Sequence, residues 1–352
     1  MKICLSIRSL NYGGASKMFL WLAENLALRN HRVTIITFSP IVDNVNLSNE
    51  YQVIQLNIPK VTVPFNIIKL SAILRRCKPD ISISFGLEAN VYNTFACLGL
   101  KTRSVICERN DPFYSKNRAL RFWKPCFRWV DGAVWQLEKV HDFYNNVRKK
   151  TAVIPNPVVL EDFTCNEIEK RFDAFVTHSR LDLFQKRQDV MINAFALLNK
   201  LHPEYKLYIY GTGPDEDKIR ALIKAKGLDD YIILKGKTSQ PLQEIGKYKF
   251  YIFTSDFEGI PNSLIEAMSV GLPCVATDCS PGGASFLIKN GFNGLLVEKA
   301  NVVGLCEKMT FLVENHDYAE ELGHNAKLIK KEFEPERIVN MWISYLSQVV
   351  NG

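Results

Sequence analysis

Short apolar runs alternate with longer amphipathic segments along the whole chain, and this rhythm limits the possible folds more than any other feature. Strand-like runs fall at 2–8, 32–38, 51–56, 80–85, 103–107, 132–135 and 151–154, with helical patterns such as 16–29, 65–77 and 88–98 between them. The second half repeats the rhythm, with strand-like runs near 173–178, 205–210, 231–234, 249–253, 273–276 and 294–297. Strands separated by helices of about ten to fifteen residues imply crossover connections and therefore parallel sheets. The expected fold class is α/β, with two Rossmann-like doubly wound domains. At 352 residues the chain is long enough for two cores. Pro155 and Pro157 around Asn156 forbid helix and favour an extended connector. The expected division is an N-terminal domain over 1–160, a second domain over 161–332, and a helix over 333–352 returning to the first. That helix carries Ile338, Met341, Trp342, Tyr345 and Leu346 on one face.

Hydrophobic residues at 47% and charged residues at 23% describe a globular chain rather than a disordered one. The nine cysteines are scattered and form no CxxC pair, which suits reduced core thiols in a cytoplasmic protein. The first residues already read as a strand rather than a signal peptide, and no apolar run approaches the length of a membrane span. The net charge of +7 is partly concentrated in residues 113–130, where basic side chains alternate with aromatics. Such a segment suits peripheral contact with an anionic membrane surface, and equally a half-buried helix whose Arg and Lys stems snorkel. No nucleic-acid-binding module accompanies it, so nucleic acid is not an expected partner.

Chemistry in doubly wound folds sits beyond the carboxyl ends of the strands, and four loops there are informative. The strongest is Glu258-Gly259-Ile260-Pro261-Asn262-Ser263-Leu264-Ile265-Glu266, directly after an apolar strand. Pro261 suits the first helical turn, and the N–H groups of Asn262, Ser263 and Leu264 would then point out of the helix start, where a phosphate binds readily. Glu258 precedes that start and Glu266 tilts back toward it, so a bound anion would have an acid on each side. A nucleotide-sugar fits this layout, with one acid for the sugar hydroxyls and one for the ribose. Favourable interaction with the helix dipole is the plainer reason for acids there.

In the second loop, Thr177 to Lys186, Arg180 and Lys186 can converge on a diphosphate. His178 at its start reads as a strand-end histidine rather than a catalyst, and is kept as a candidate. The third loop holds Gly211 and Gly213, which would give a base or ribose room to approach. Asp215-Glu216-Asp217 after it imitates a metal-binding DxD, but acids in a first helical turn are ordinary dipole partners. No His, Cys or carboxylate cluster has metal-ligand spacing, and no metal is expected. The fourth is the Gly13-Gly14 loop after the first strand, a tight turn that also suits a phosphate. It is not GxGxxG, which disfavours NAD-dependent oxidoreduction.

Together these loops resemble the retaining glycosyltransferases of family four, over nearly the whole chain and in the right order. The carriers are Gly13-Gly14-Ala15, Ile154-Pro155-Asn156-Pro157-Val158, Ser179-Arg180-Leu181 with Lys186, Gly211-Thr212-Gly213-Pro214, and Glu258 to Glu266 followed by Ala267-Met268 and Gly271-Leu272-Pro273. The resemblance implies GT-B architecture, with the two domains facing across a cleft. Acceptor would bind to the first domain and nucleotide-sugar donor to the second. It implies Arg180, Lys186 and Glu258 as catalytic residues. Donor contacts would come from Gly13, Gly14, Gly211, Gly213, Gly259, Ile260, Pro261, Asn262, Ser263 and Glu266.

The wording of the Glu258 and Glu108-Arg109-Asn110-Asp111 loops resembles enzymes of bacterial surface-polysaccharide synthesis. That implies a UDP-sugar donor, a polyprenyl-diphosphate-linked acceptor, retention of configuration, and neither metal nor cofactor. The expected location is cytoplasmic, peripheral on the inner face of the plasma membrane. Two positions depart from the family pattern: Arg109 stands where relatives often have His, a place for acceptor or phosphate contact, and Phe286 where an acid often stands. These departures are what favours the alternative of a non-catalytic partner of the same fold. An epimerase or phosphorylase of that fold fits the Arg180, Lys186 and two-acid set less well.

Overall fold

The structure is a computed structural model that describes residues 1–10, 14–41, 47–56, 63–114, 122–159 and 171–352. It divides into two compact units, the first built from Met1–Asn156 and Pro335–Gly352 and the second from Pro157–Glu334.

In the first unit, β1 (Lys2–Ile7), β2 (Arg32–Thr37), β3 (Gln52–Gln55), β4 (Ile81–Phe85), β5 (Arg103–Cys107), β6 (Gly132–Trp135) and β7 (Lys150–Val153) form one sheet. Its order is β3-β2-β1-β4-β5-β6-β7. Every pairing is parallel. The central strands are buried along nearly their whole length because helices cover both faces; β4 and β6 are buried at every residue. One covering helix, Leu87–Ala96, buries Asn90 and Asn93 against the sheet. Ser84 Oγ donates to Asn90 Oδ1 at 2.7 Å, and Asn90 Nδ2 donates to the Cys107 carbonyl at 3.0 Å. Polar residues can be buried there because their bonds are supplied.

The C-terminal helix Pro335–Asn351 belongs to this unit and buries Ile338, Val339, Trp342, Tyr345, Leu346 and Val349. Tyr345 OH donates to the carbonyls of Ala133 and Lys150 at 3.1 and 2.9 Å. The first unit ends at Asn156 rather than 160. The Val158 N–H already donates to the Phe333 carbonyl at 2.8 Å, which ties that stretch to the second unit.

The second unit repeats the plan with β8 (Phe172–His178), β9 (Lys206–Tyr210), β10 (Ile232–Gly236), β11 (Tyr248–Phe253), β12 (Cys274–Thr277) and β13 (Leu295–Val297). Their order is β10-β9-β8-β11-β12-β13, again all parallel. Phe175 and Phe250 stack at 4.9 Å in its core, with Phe195, Ile209 and Met309 around them. Each strand lies within two residues of its expected place, because hydrophobic periodicity is a local signal. Among the described residues no helix is long and apolar enough to cross a membrane. The eight described cysteines are all free. Burial pushes the Cys107 and Cys279 thiols up to about 12.

Candidate functional site

In the second unit, β8 and β11 are neighbours whose onward connections run to opposite sides of the sheet. A sheet of this kind leaves a crevice beyond the carboxyl ends of such a strand pair. The loop after β8 carries His178, Arg180 and Lys186; the loop and helix after β11 carry Glu258 and Glu266.

Two pairs bridge these elements. Lys186 Nζ forms an ion pair with Glu258 Oε1, and their side chains are only 17% and 16% exposed. Ser255 Oγ donates to the same oxygen at 3.3 Å. His178 Nε2 meets Glu266 Oε2 at 2.7 Å, and Tyr251 OH meets His178 Nδ1 at 3.1 Å. His178 therefore does more than close a strand. The i to i+8 spacing of the two acids was legible in the sequence, but Tyr251 carried no signal beyond being an aromatic in an apolar strand.

A third bridge lies beside them. Arg187 Nη1 donates to Asp256 at 2.8 Å, while its Nε and Nη2 grip Asp189, both at 3.0 Å. Arg187 has φ 51°, a left-handed backbone at the start of the helix Gln188–Leu201. Its fork closes the turn that aims Lys186. Arg180 is 58% exposed, with Asp182 at 2.5 Å and Gln185 at 3.3 Å. Sequence reasoning overlooked Arg187 and Asp256.

The helix after β11 runs Asn262–Ser269, with Pro261 at its N-cap rather than in its first turn. The Pro261 carbonyl accepts the N–H groups of Leu264 and Ile265, both at 3.1 Å. Leu264 is therefore not a donor for an anion, and that expectation is corrected. Asn262 and Ser263 stand half-buried at the helix start, whereas Gly259, Ile260 and Pro261 are buried. Ile260, at 4% exposure, offers a ligand little side-chain surface. At the other end, Arg171 donates to the carbonyls of Val270 and Gly271 at 2.7 and 3.3 Å, anchoring the helix where its carbonyls run out.

The glycines are explained by backbone packing. A Cβ on Gly211 would lie 1.9 Å from the Ser179 carbonyl oxygen, and one on Gly213 2.2 Å from that of Leu181. The space the sequence reading reserved for a base or ribose is, on that side, filled by the 179–181 backbone. Gly283 comes closer still: its Cβ would lie 1.7 Å from the Gly259 carbonyl oxygen. Asp215 and Glu216, at the start of the helix Glu216–Ala225, pair with Lys218 and Arg220 as first-turn acids do.

In the first unit, Gly14 is exposed and opens the helix Gly14–Ala27; Gly13 lies outside the described residues. Arg109 is held within that unit. Its guanidinium lies 5.2 Å from the Phe85 ring centroid and 5.5 Å from that of Trp342. Nη1 donates to the Ile154 carbonyl at 3.3 Å and to Asn156 Oδ1 at 3.2 Å. Phe286 meets Phe333 edge-on at 5.9 Å in the second unit. Both departures from the family pattern thus have packing reasons.

The family described as glycosyl transferases group 1 matches residues 165–329, which is nearly all of the second unit. It is this family that the second unit resembles, over just under half of the chain. The chain is 29% identical over 370 residues to a Campylobacter jejuni protein, with 100% of each chain covered. That relative is named GalNAc-alpha-(1->4)-GalNAc-alpha-(1->3)-diNAcBac-PP-undecaprenol alpha-1,4-N-acetyl-D-galactosaminyltransferase. In fold it is similar to Anabaena Alr3699/HepE solved with UDP, at TM-score 0.82 and 19% identity over 99% of this chain and 100% of that one. It is also similar to Staphylococcus aureus TarM, at TM-score 0.81 and 16% identity over 98% and 100% of the two chains. At such identity these two likenesses establish the fold alone, and it is that of the two-domain α/β GT-B glycosyltransferases.

Proposed function

We propose that this glycosyltransferase moves a sugar from a UDP-sugar to a hydroxyl of a polyprenyl-diphosphate-linked glycan, with retention of configuration, in surface-polysaccharide synthesis. The observation that carries the reading is the pair of bridges at the β8/β11 switch point, Lys186 to Glu258 and His178 to Glu266. They gather one cation and two acids where a sheet of this type takes its ligand. The acceptor class follows the name of the Campylobacter jejuni relative, and the donor class the UDP bound in the HepE structure.

In the proposed mechanism, the bond from the anomeric carbon to the UDP oxygen breaks as the acceptor oxygen bonds to that carbon from the same face. The departing phosphate oxygen takes the acceptor's proton. Charge then grows on the diphosphate, and Lys186 and Arg180 stabilise it as fixed and mobile cations respectively. The N–H groups at the helix start add to this field. Glu258, held by Lys186, accepts from the donor sugar's hydroxyls, and Glu266 accepts from the ribose. With two cations and a helix terminus at the diphosphate, the mechanism requires no metal.

We also place the enzyme on the inner face of the plasma membrane. In the first unit Phe122 is 73% exposed and Trp129 44%, with the Arg128 guanidinium 5.3 Å from the Trp129 ring. Cations beside exposed aromatics are what an anionic lipid surface attracts. Residues 115–121 of this segment lie outside the described residues.

The test is turnover of a UDP-sugar panel against undecaprenyl-diphosphate-linked glycans in the presence of EDTA, with the new linkage read by NMR. Transfer with retained configuration, lost in Lys186→Ala and Glu258→Gln, supports the proposal. Inverted product, or activity abolished by EDTA and restored by a divalent metal, overturns the corresponding part.

A further inference from the structure

His178 occupies a position that neither the family match nor the names of the relatives assigns. It is the last residue of β8, its side chain is 12% exposed, and both ring nitrogens are engaged. Nδ1 faces the hydroxyl of Tyr251 at 3.1 Å, and Nε2 faces Glu266 Oε2 at 2.7 Å. Tyr251 is wholly buried on β11, and burial holds its phenol well above the ordinary range, so it keeps its proton. The hydroxyls of Ser263 and Thr177 also bond to that phenol oxygen. The Glu266 carboxylate oxygen at Nε2 can only accept, so Nε2 donates and Nδ1 is left to accept from the phenol, whose hydroxyl also lies 3.5 Å from the His178 carbonyl. An imidazole that accepts at Nδ1 carries its proton on Nε2, and that proton points at the Glu266 carboxylate.

A chain of bonds therefore runs from the start of the helix Asn262–Ser269, through β11 and β8, and back to the same helix one turn later. It leaves Glu266 little rotational freedom. Glu side chains otherwise keep several rotamers, and ordering one costs entropy that weakens any hydrogen bond it makes. Here the protein core meets that cost before a ligand arrives.

We propose that His178 is a positioning residue: set by Tyr251, it orients the Glu266 carboxylate for the two ribose hydroxyls of the donor and thereby sets discrimination between ribose and deoxyribose. This rests on the reading of Glu266 as the ribose acceptor. His178 itself touches neither ribose nor the reacting atoms. Its effect is confined to the diol, whereas a residue that merely stabilised the fold would affect every nucleotide alike.

The experiment is calorimetric titration of the full chain with UDP and with 2′,3′-dideoxy-UDP. Wild type is expected to favour UDP by at least about tenfold, the worth of one charge-assisted hydrogen bond. Tyr251→Phe and His178→Leu should each lower that ratio several-fold while leaving dideoxy-UDP affinity within about twofold, and His178→Gln should restore part of it through its amide N–H. Equal weakening of both nucleotides in both variants, or an unchanged ratio, overturns the proposal. The Glu266→Gln variant separates the two layers. If it loses discrimination while His178→Leu keeps it, the positioning role alone falls. If Glu266→Gln keeps discrimination, or wild type binds neither nucleotide, the donor-site reading falls and takes the proposal with it.

Discussion

Lys186 and Glu258 stand 72 positions apart in the sequence and form an ion pair with both side chains more than four-fifths buried. A buried pair is expensive to break from one side, because the remaining charge stays desolvated. Lys186→Ala and Glu258→Gln should each destabilise the protein by about 2–3 kcal/mol, and the double variant by about 1–2 kcal/mol less than their sum. Urea denaturation of the four proteins measures this. Strict additivity would mean that the pair is not formed in solution.

Gly283 approaches the Gly259 carbonyl so closely that no Cβ fits: the built atom would lie 1.7 Å from the oxygen. Because the neighbour is backbone, relief requires moving the loop that carries Glu258. Gly283→Ala should cost about 2 kcal/mol or more and raise KM for the UDP-sugar. A Tm and a KM both equal to wild type would contradict that packing.

Arg109 lies against Phe85 and Trp342 and donates to Ile154 and Asn156. Replacing it with Ala should cost about 2–3 kcal/mol, through lost cation–π contact and lost bonds to buried acceptors. Arg109→Lys keeps the charge but not the planar fork, and should recover less than half. UDP affinity should stay within about twofold in both. A loss of UDP binding at unchanged stability would instead restore Arg109 as a phosphate contact.

Glu108 gives the first unit a pH signature. Burial raises its carboxyl, against the pull of the Asn110 N–H, the Tyr144 hydroxyl and the N–H and charge of Arg109. In the unfolded chain it titrates at about 4.3. Between that value and its raised folded value, the native state holds a proton the unfolded state has lost. Its stabilising contribution is therefore complete below the unfolded value and declines as pH rises through the folded one. Glu108→Gln should remove this decline, so that wild type gains on the variant as pH falls from neutral. A stability difference constant with pH would show that the carboxyl is not shifted.

The exposed Phe122 and Trp129 of the first unit, with Lys124 and Arg128 beside them, predict binding to vesicles of anionic phospholipid. Phe122→Ala with Trp129→Ala should weaken sedimentation with such vesicles at least about tenfold. Lys124→Glu with Arg128→Glu should do the same at low salt and less at high salt. Binding that survives both pairs would move the contact elsewhere on the chain.

The sequence by itself determined the element order, the two parallel sheets and the loops that carry the site. Those features depend on hydrophobic period and strand-end position, which a chain states locally. Glu258 and Glu266 could be singled out because they flank a helix start only a few residues long. The partner of each acid could not be read, because Lys186 and His178 reach them only once β8 and β11 lie side by side. Asn90 and Asn93 look like the solvent side of their helix until Ser84, Ser82 and the sheet carbonyls are set against them. Gly211 and Gly213 likewise look like openings for a ligand until the backbone that fills their Cβ space is in place. Tertiary structure decided these matters because each depends on contacts between distant segments, and strand order and helix packing, not local pattern, choose which segments meet.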